Sequence, residues 1–468
     1  MQERVIVVGA GLVGCLLSIY LARLGLEVDV FEKRPDIREQ TGSFHRSINM
    51  AMSARGAHAI RAVGLEAEVL SHTIPCYGRM IHHTDGRTEL QPYGLNPEEC
   101  LRAIPRTWLN RTLITQAEKT ARVRFHFGHE AQFMNFHEGT VEFGDPAGAR
   151  VVHQGVVFGT DGSGSAIRSM MLKLPLFEYS QTHRQGEESY GYSEIDIPPG
   201  PDSGYAIEEH ALHIWPRRTF MFMGLPDLSG STIGTLFMPL TGPLSFERLQ
   251  NREEAMDFFT EHFPDVPPLV PDLTDQLLSH HPSLLVTTRC QPWHWKDKVV
   301  LLGDAAHAMV PFFGQGMNCG FEDCFILHQC IERHGFDWGR VFAEFSEQRI
   351  PQADAIQDLS LENFIEMRAA TDDPGFMLRK AVEKLIESEM PERYISQYSL
   401  ISHHLVPYKL AREVGVVEAT LLVELCSGLD TATNYNRERA RQLIDERLGS
   451  LMEQVRPYLQ QEKAIAPT

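Results

Sequence analysis

Long apolar runs are missing from this 468-residue chain, and no stretch reaches the roughly 18 residues that a membrane-spanning helix needs. Only a few residues precede the first apolar run at Val5, too few for a cleavable leader, so a cytoplasmic protein is expected. Positive charge is scarce: 43 Lys and Arg face 62 Asp and Glu, a formal charge of −19. Such a surface repels phosphate backbones and anionic membranes, which argues against nucleic acid as a partner. The eight cysteines form no C-x-x-C pair and no clustered framework, so reduced thiols are expected. The histidines lack metal-ligand spacing; no metal is expected, and His82, His83 and His307 read as solvated or core side chains. Internal repeats and low-complexity tracts are absent as well.

What is present is a globular composition, 43% hydrophobic and 22% charged, on a chain long enough for two or three subdomains. Val5–Val8 is an apolar run suited to a strand buried on both faces. Gly9-Ala10-Gly11-Leu12-Val13-Gly14 follows at once, then a helical run ending at Gly25 and a second strand ending at Glu32. That order fits a dinucleotide-binding unit. Gly9 permits the tight turn, Gly11 lets a pyrophosphate approach the backbone, Gly14 lets helix pack on strand, and Glu32 accepts from a ribose. An acid at this place suits FAD or NAD better than NADP.

Further along, Trp108 to Ala121 has a helical pattern with Arg106 before it, and Val151–Phe158 reads as a strand leading to Asp161-Gly162. From Tyr190 to Pro239 strand-like runs alternate with turn residues, which predicts an antiparallel sheet. Val299 to Asp323 combines a short strand, Gly303-Asp304, a loop with Pro311 and Gly314, and a helix starting near Gly316. An acid at a strand end and amide groups at a helix start suit a hydroxylated chain and an electron-rich ring. Residues 337–398 are mostly helical, with Asn363 and Met367 on one face, and helical patterns continue to the end.

The expected fold is therefore α/β: a Rossmann-like domain, an antiparallel β-sheet domain and a C-terminal helical region. The discontinuous cofactor domain would take 1–72, 100–178 and 285–350, the substrate domain 73–99 and 179–284, and the helical region 351–468.

GAGLVG, Asp161-Gly162 and Gly303-Asp304 in this order resemble the single-component FAD aromatic hydroxylases. RSINMAMSARG (46–56), GRMIHH (78–83), LQPYG (90–94), LHIWPR (212–217), TLFMP (235–239), PFFGQGMNCGFEDC (311–324) and ENFIEMR (362–368) are similar to the kynurenine 3-monooxygenase family, over about residues 4–400. The resemblance implies NADPH- and O₂-dependent hydroxylation of L-kynurenine to 3-hydroxykynurenine through a C4a-hydroperoxyflavin, with no side-chain nucleophile. The alternative is hydroxylation of a ring-substituted kynurenine or related aromatic amino acid in secondary metabolism; a non-catalytic flavin-binding protein is a third reading. The resemblance places substrate contacts at Arg79, Tyr93, Asn363 and Tyr398, with Phe237, Phe312 and Met367 as the aromatic wall. FAD contacts fall on Gly9, Gly11, Gly14, Glu32, Arg106, Asp161, Asp304, Gly316 and Asn318. His45-Arg46 stands where the family carries Gly-Arg. The chain ends in KAIAPT without the C-terminal membrane anchor of eukaryotic members, so no anchor is expected; the sequence leaves monomer and dimer both open.

Overall fold

The structure is a computed structural model describing residues 4–39, 49–182, 184–185, 188–369 and 374–465. His45 and Arg46 lie outside the described residues. Strand β1 (Arg4–Val8), helix α1 (Leu12–Arg23) and strand β2 (Glu27–Glu32) follow each other directly, and β1 pairs parallel with β2. Val5, Ile6 and Val7 are fully buried, in a core that α1 shares with Met134, Val141 and Phe143 of a small three-stranded sheet. The parallel sheet extends through Val156–Gly159 and Val299–Leu301 on one side and Val123–Phe127 on the other, all parallel. An antiparallel pair, His294–Trp295, finishes one edge. Gly9, Glu32, Thr160 and Gly303 each follow or end one of these parallel strands. They share the edge where ligands of such sheets bind.

The strand predicted over 151–158 is two strands. Arg150–Gln154 joins a separate three-stranded sheet, and Val156–Gly159 joins the parallel one. The chain changes sheets at Gly155, where a Cβ would lie 2.9 Å from the carbonyl oxygen of Arg4. The helix expected from Trp108 begins earlier, at Arg106, with Pro105 as its cap.

A second sheet carries Glu188–Ile197, Thr232–Pro239, Phe220–Pro226 and Ala211–Arg217, antiparallel in that order. It is not wholly antiparallel: Gly78–His82 joins parallel to Ala211–Arg217, placing Arg79 opposite Leu212, and Thr88–Pro92 closes the edge. Helices Gln397–Ser402, Tyr408–Cys426 and Arg437–Arg447 share a core of Tyr394, Leu421 and Leu443 with the long helix Trp338–Ala369. No helix among the described residues is long and apolar enough to cross a membrane.

Candidate active site

The glycine turn between β1 and α1 is built by close contact. Gly9 has φ +104°, and a Cβ on Gly14 would stand 2.0 Å from the Gly9 carbonyl oxygen. Thr160 holds the turn from the neighbouring strand, its hydroxyl donating to Val8 (2.9 Å) and Gly9 (3.1 Å). At Gly11 a Cβ would meet nothing within 4 Å, because that residue faces a cavity of about 360 Å³. No acid sits in the first turn of α1 and no side chain caps it, which leaves its amide dipoles available to an anion.

Gly9, Gly11, Glu32, Arg106 and Asp161 line this cavity. Glu32 also braces it: one carboxylate oxygen accepts from Ala10 N at 2.9 Å, the other from Arg34 N at 2.9 Å. Lone pairs remain on both oxygens for a ribose. Asp161 is largely committed to the protein, accepting from Ser165 Oγ (2.5 Å), Ala166 N (2.7 Å) and Ile167 N (3.2 Å) at the start of a short helix. Burial pushes its carboxyl above the usual range against those bonds. A glycine cradle, an acid at the end of β2 and an uncapped helix start fit the diphosphate and ribose of a dinucleotide.

Asp304, Gly316 and Asn318 do not line that cavity; the Gly303 loop before Asp304 and the helix that holds Gly316 and Asn318 pack against Val13 of α1. Asp304 is exposed in the first turn after the strand Val299–Leu301. Gly316 begins the helix Gly316–His334, whose first turn has no acid and no side-chain cap. The Asn318 amide is spent within the protein: it accepts from Ser53 N at 2.9 Å and donates to Ala51 and Gly314 carbonyls at 2.9 and 2.8 Å. Its side chain pins loops together.

A second cavity of about 680 Å³ brings together Arg79, Tyr93, Asn363, Met367 and Tyr398. The Tyr93 and Tyr398 rings stack at 5.3 Å, and the Arg79 guanidinium lies 4.8 Å from the Tyr398 ring centroid. The Tyr93 hydroxyl is buried beside the Arg79 guanidinium and the Tyr398 ring. Burial pushes both phenols above their ordinary range, so they stay protonated donors at neutral pH. Asn363 donates to the Phe312 carbonyl at 2.7 Å, which fixes the side chain at the cavity wall. Phe237 and Phe312 do not line the cavity themselves; they pack edge to face at 5.0 Å behind it, while Phe313 supplies a lining ring. The sequence reading missed Glu366, Lys380 and Glu418, which also line this space. Charged residues inside amphipathic helices carry no signal that separates them from a solvated face.

Also missed was a charged network beneath the Gly303 loop, formed by the buried Asp323, Arg349 and His307 with the half-buried Glu322. His307, Cys319 and Asp323 offer ligand atoms within 4.8 Å of one another. Arg349 stands 2.7 Å from Asp323 and 3.2 Å from Cys319 Sγ, however, so a guanidinium already supplies the positive charge there.

The parallel sheet, its glycine-lined cavity and the attached mixed sheet define a flavin-binding oxygenase fold. The family model described as "FAD binding domain" matches residues 2–186 and 273–337. Solved structures of 2-methyl-3-hydroxypyridine-5-carboxylic acid oxygenase (TM-score 0.63, 20% identity, covering 82% of this chain and 97% of that one) share the fold. So does p-nitrophenol 4-monooxygenase from Pseudomonas putida (TM-score 0.64, 19% identity, 83% and 94%). Kynurenine 3-monooxygenase of Myxococcus xanthus is 47% identical over 97% of both chains, and that of Dictyostelium discoideum 37% identical over 96% of this chain and 98% of its own. The chain belongs to the kynurenine 3-monooxygenase family.

Proposed function

We infer that this protein is an FAD-dependent monooxygenase that hydroxylates L-kynurenine to 3-hydroxykynurenine with NADPH and O₂. The observation that carries the reading is near full-length identity of 47% to a relative of that name, together with the Arg79, Tyr93, Asn363 and Tyr398 set around one cavity. The relatives' shared name supports unsubstituted kynurenine over a ring-substituted one.

Bound FAD, reduced by NADPH, supplies the electrons that activate O₂, so that one oxygen enters the ring and the other leaves as water. Gly9, Gly11 and the start of α1 take the diphosphate, Glu32 the ribose, and Arg106 the exposed side of the same cavity. Asp304 takes the ribityl chain, and the backbone at Gly316 to Asn318 faces the flavin ring. Arg79 clamps the substrate carboxylate through its planar fork, and Tyr93 and Tyr398 donate hydroxyls beside it. Asn363, fixed on Phe312, sets the polar end, and Met367 with the Phe237 and Phe312 pair excludes water from the ring. No nucleophilic side chain is needed. Residues 1–72, 100–178 and 285–350 form the cofactor domain in this reading, 73–99 and 179–284 the substrate domain, and 351–468 the helical region. The protein works in the cytoplasm as a monomer or dimer.

The purified protein is expected to be yellow and to oxidise NADPH faster when L-kynurenine is added, with 3-hydroxykynurenine as product. NADPH oxidation indifferent to L-kynurenine, with no oxygenated product, would refute the substrate.

A further inference from the structure

Arg55 lies in the helix Ala54–Ala62, 1% exposed, and lines neither cavity. Its guanidinium is divided between two parts of the molecule. Toward the C-terminal helices, Nε donates to the Ile401 carbonyl at 3.3 Å, a second nitrogen donates to the Val406 carbonyl, and the group lies 3.9 Å from the Tyr408 ring centroid. Toward the parallel sheet, its remaining nitrogen donates to Glu322 at 2.6 Å. The other Glu322 oxygen accepts from Arg349 at 2.6 Å, and Arg349 donates to Asp323 at 2.7 Å. Asp323 then accepts from the Gly303 amide at 3.0 Å and from His307 at 2.6 Å.

One end of this chain is the helix Gln397–Ser402, which carries Tyr398 into the substrate cavity. The other end is the backbone immediately before Asp304. A second strand of contacts runs alongside, because Ser53, which precedes Arg55's helix, donates its amide to Asn318.

We propose that Arg55 is a positioning residue that couples the polar end of the substrate cavity to the cofactor loop at Gly303-Asp304. The proposal rests on the assignment of those two sites given above. A buried ion network is a poor source of stability, since desolvation offsets its attraction. Its value lies in geometry. The guanidinium is planar and its donors are fixed relative to one another, so a shift of the Ile401 and Val406 carbonyls reorients the donor held by Glu322. Glu322 and Arg349 carry that change to Asp323, and Asp323 holds the Gly303 amide. A ligand that moves the Tyr398 helix therefore moves the cofactor loop, and by reciprocity the state of the cofactor loop alters ligand affinity.

The test uses the FAD-loaded protein, wild type and Arg55→Lys, with Arg55→Met as a more severe variant. Lysine keeps the charge but not the fork, so Arg55→Lys decides the matter if Arg55→Met does not fold. Hydrogen exchange at residues 303–313 and the flavin midpoint potential are measured with and without L-kynurenine, whose binding is followed separately by calorimetry. In the wild type, bound L-kynurenine is expected to slow exchange at 303–313 and to shift the potential. In Arg55→Lys, with flavin and L-kynurenine both bound, the slowing is expected to weaken by about fivefold or more and the potential shift to shrink with it. A Lys variant with the full wild-type response overturns the proposal, as does a wild type that binds L-kynurenine with no response at 303–313. Failure of the wild type to bind L-kynurenine refutes the proposed function instead. In that case ligand-free exchange decides: it is expected to be faster at 303–313 in Arg55→Lys, and equal rates overturn the coupling.

Discussion

Arg79 has a narrower set of tasks than most buried arginines. It stands on the strand next to the edge of the mixed sheet, near two phenols and Glu366, and no carboxylate of the described residues is bridged to it at ion-pair distance. A carboxylate ligand would complete it. Truncating one member of a buried, hydrogen-bonded charge pair costs about 2 kcal/mol or more, which is roughly 30-fold in binding. Arg79→Ala is therefore expected to raise KM for L-kynurenine by at least that factor while leaving flavin content unchanged, because Arg79 does not touch the glycine-lined cavity. Steady-state kinetics alongside flavin absorbance checks both halves, and an unmoved KM would take Arg79 out of the pocket. The residue itself was legible only through the GRMIHH resemblance. Its neighbours in space, Leu212 across a parallel pairing and Gln91 across an antiparallel one, come from strand register, which local pattern does not encode.

At the scale of the element, the turn from β1 into α1 separates two kinds of glycine. A Cβ at Gly14 would collide with backbone, 2.0 Å from the Gly9 oxygen, whereas at Gly11 it would enter open cavity. Gly14→Ala is expected to lower the melting temperature whether or not flavin is present. Gly11→Ala is expected to leave the flavin-free melting temperature within about a degree or two, since surface-like substitutions cost under about 0.5 kcal/mol, yet to weaken FAD binding. Thermal unfolding and flavin titration of the two variants would separate the roles, and equal losses of stability would show that Gly11 also serves packing. This element was readable because spacing and residue type alone dictate its geometry. Gly155 was not: a single glycine inside an apolar run marks a change of sheet only once both partner strands are known. Glu322 and Asp323, adjacent acids in the mostly apolar first half of a helix, carried a visible anomaly that points to burial with partners.

For the whole molecule, acid sensitivity follows from groups that the mixed sheet buries. His213, 1% exposed, donates from Nε2 to the Glu208 carbonyl at 2.8 Å, so its Nδ1 must accept from His82 Nε2, also 2.8 Å away. His82 then presents its other ring nitrogen to Asp265, 3.0 Å away, which also accepts from Trp215 at 2.7 Å. Burial pulls His213 down to about 4 from its ordinary 6.5. Between those values the unfolded chain takes up a proton at this position and the folded chain does not. Stability therefore falls as pH drops through that window, at up to about 1.4 kcal/mol per pH unit for one proton. His403, held near 4 by burial as well, acts in the same direction. Glu418 acts oppositely: burial raises its carboxyl, so its share of stability is lost as pH rises through its folded value. The raw pH profile mixes these signs, and the informative quantity is a difference between variants. In His213→Gln the amide can still donate to Glu208 and accept from His82, but nothing titrates. Urea unfolding of the flavin-loaded protein from pH 7 to pH 4.5 is expected to show a stability that falls less steeply in His213→Gln than in wild type. The two curves should converge toward parallel above pH 7, where the imidazole is neutral in both states. Parallel curves across the whole range would mean that His213 is charged in the folded protein, which would require a different tautomer assignment along the whole His82 to Asp265 chain.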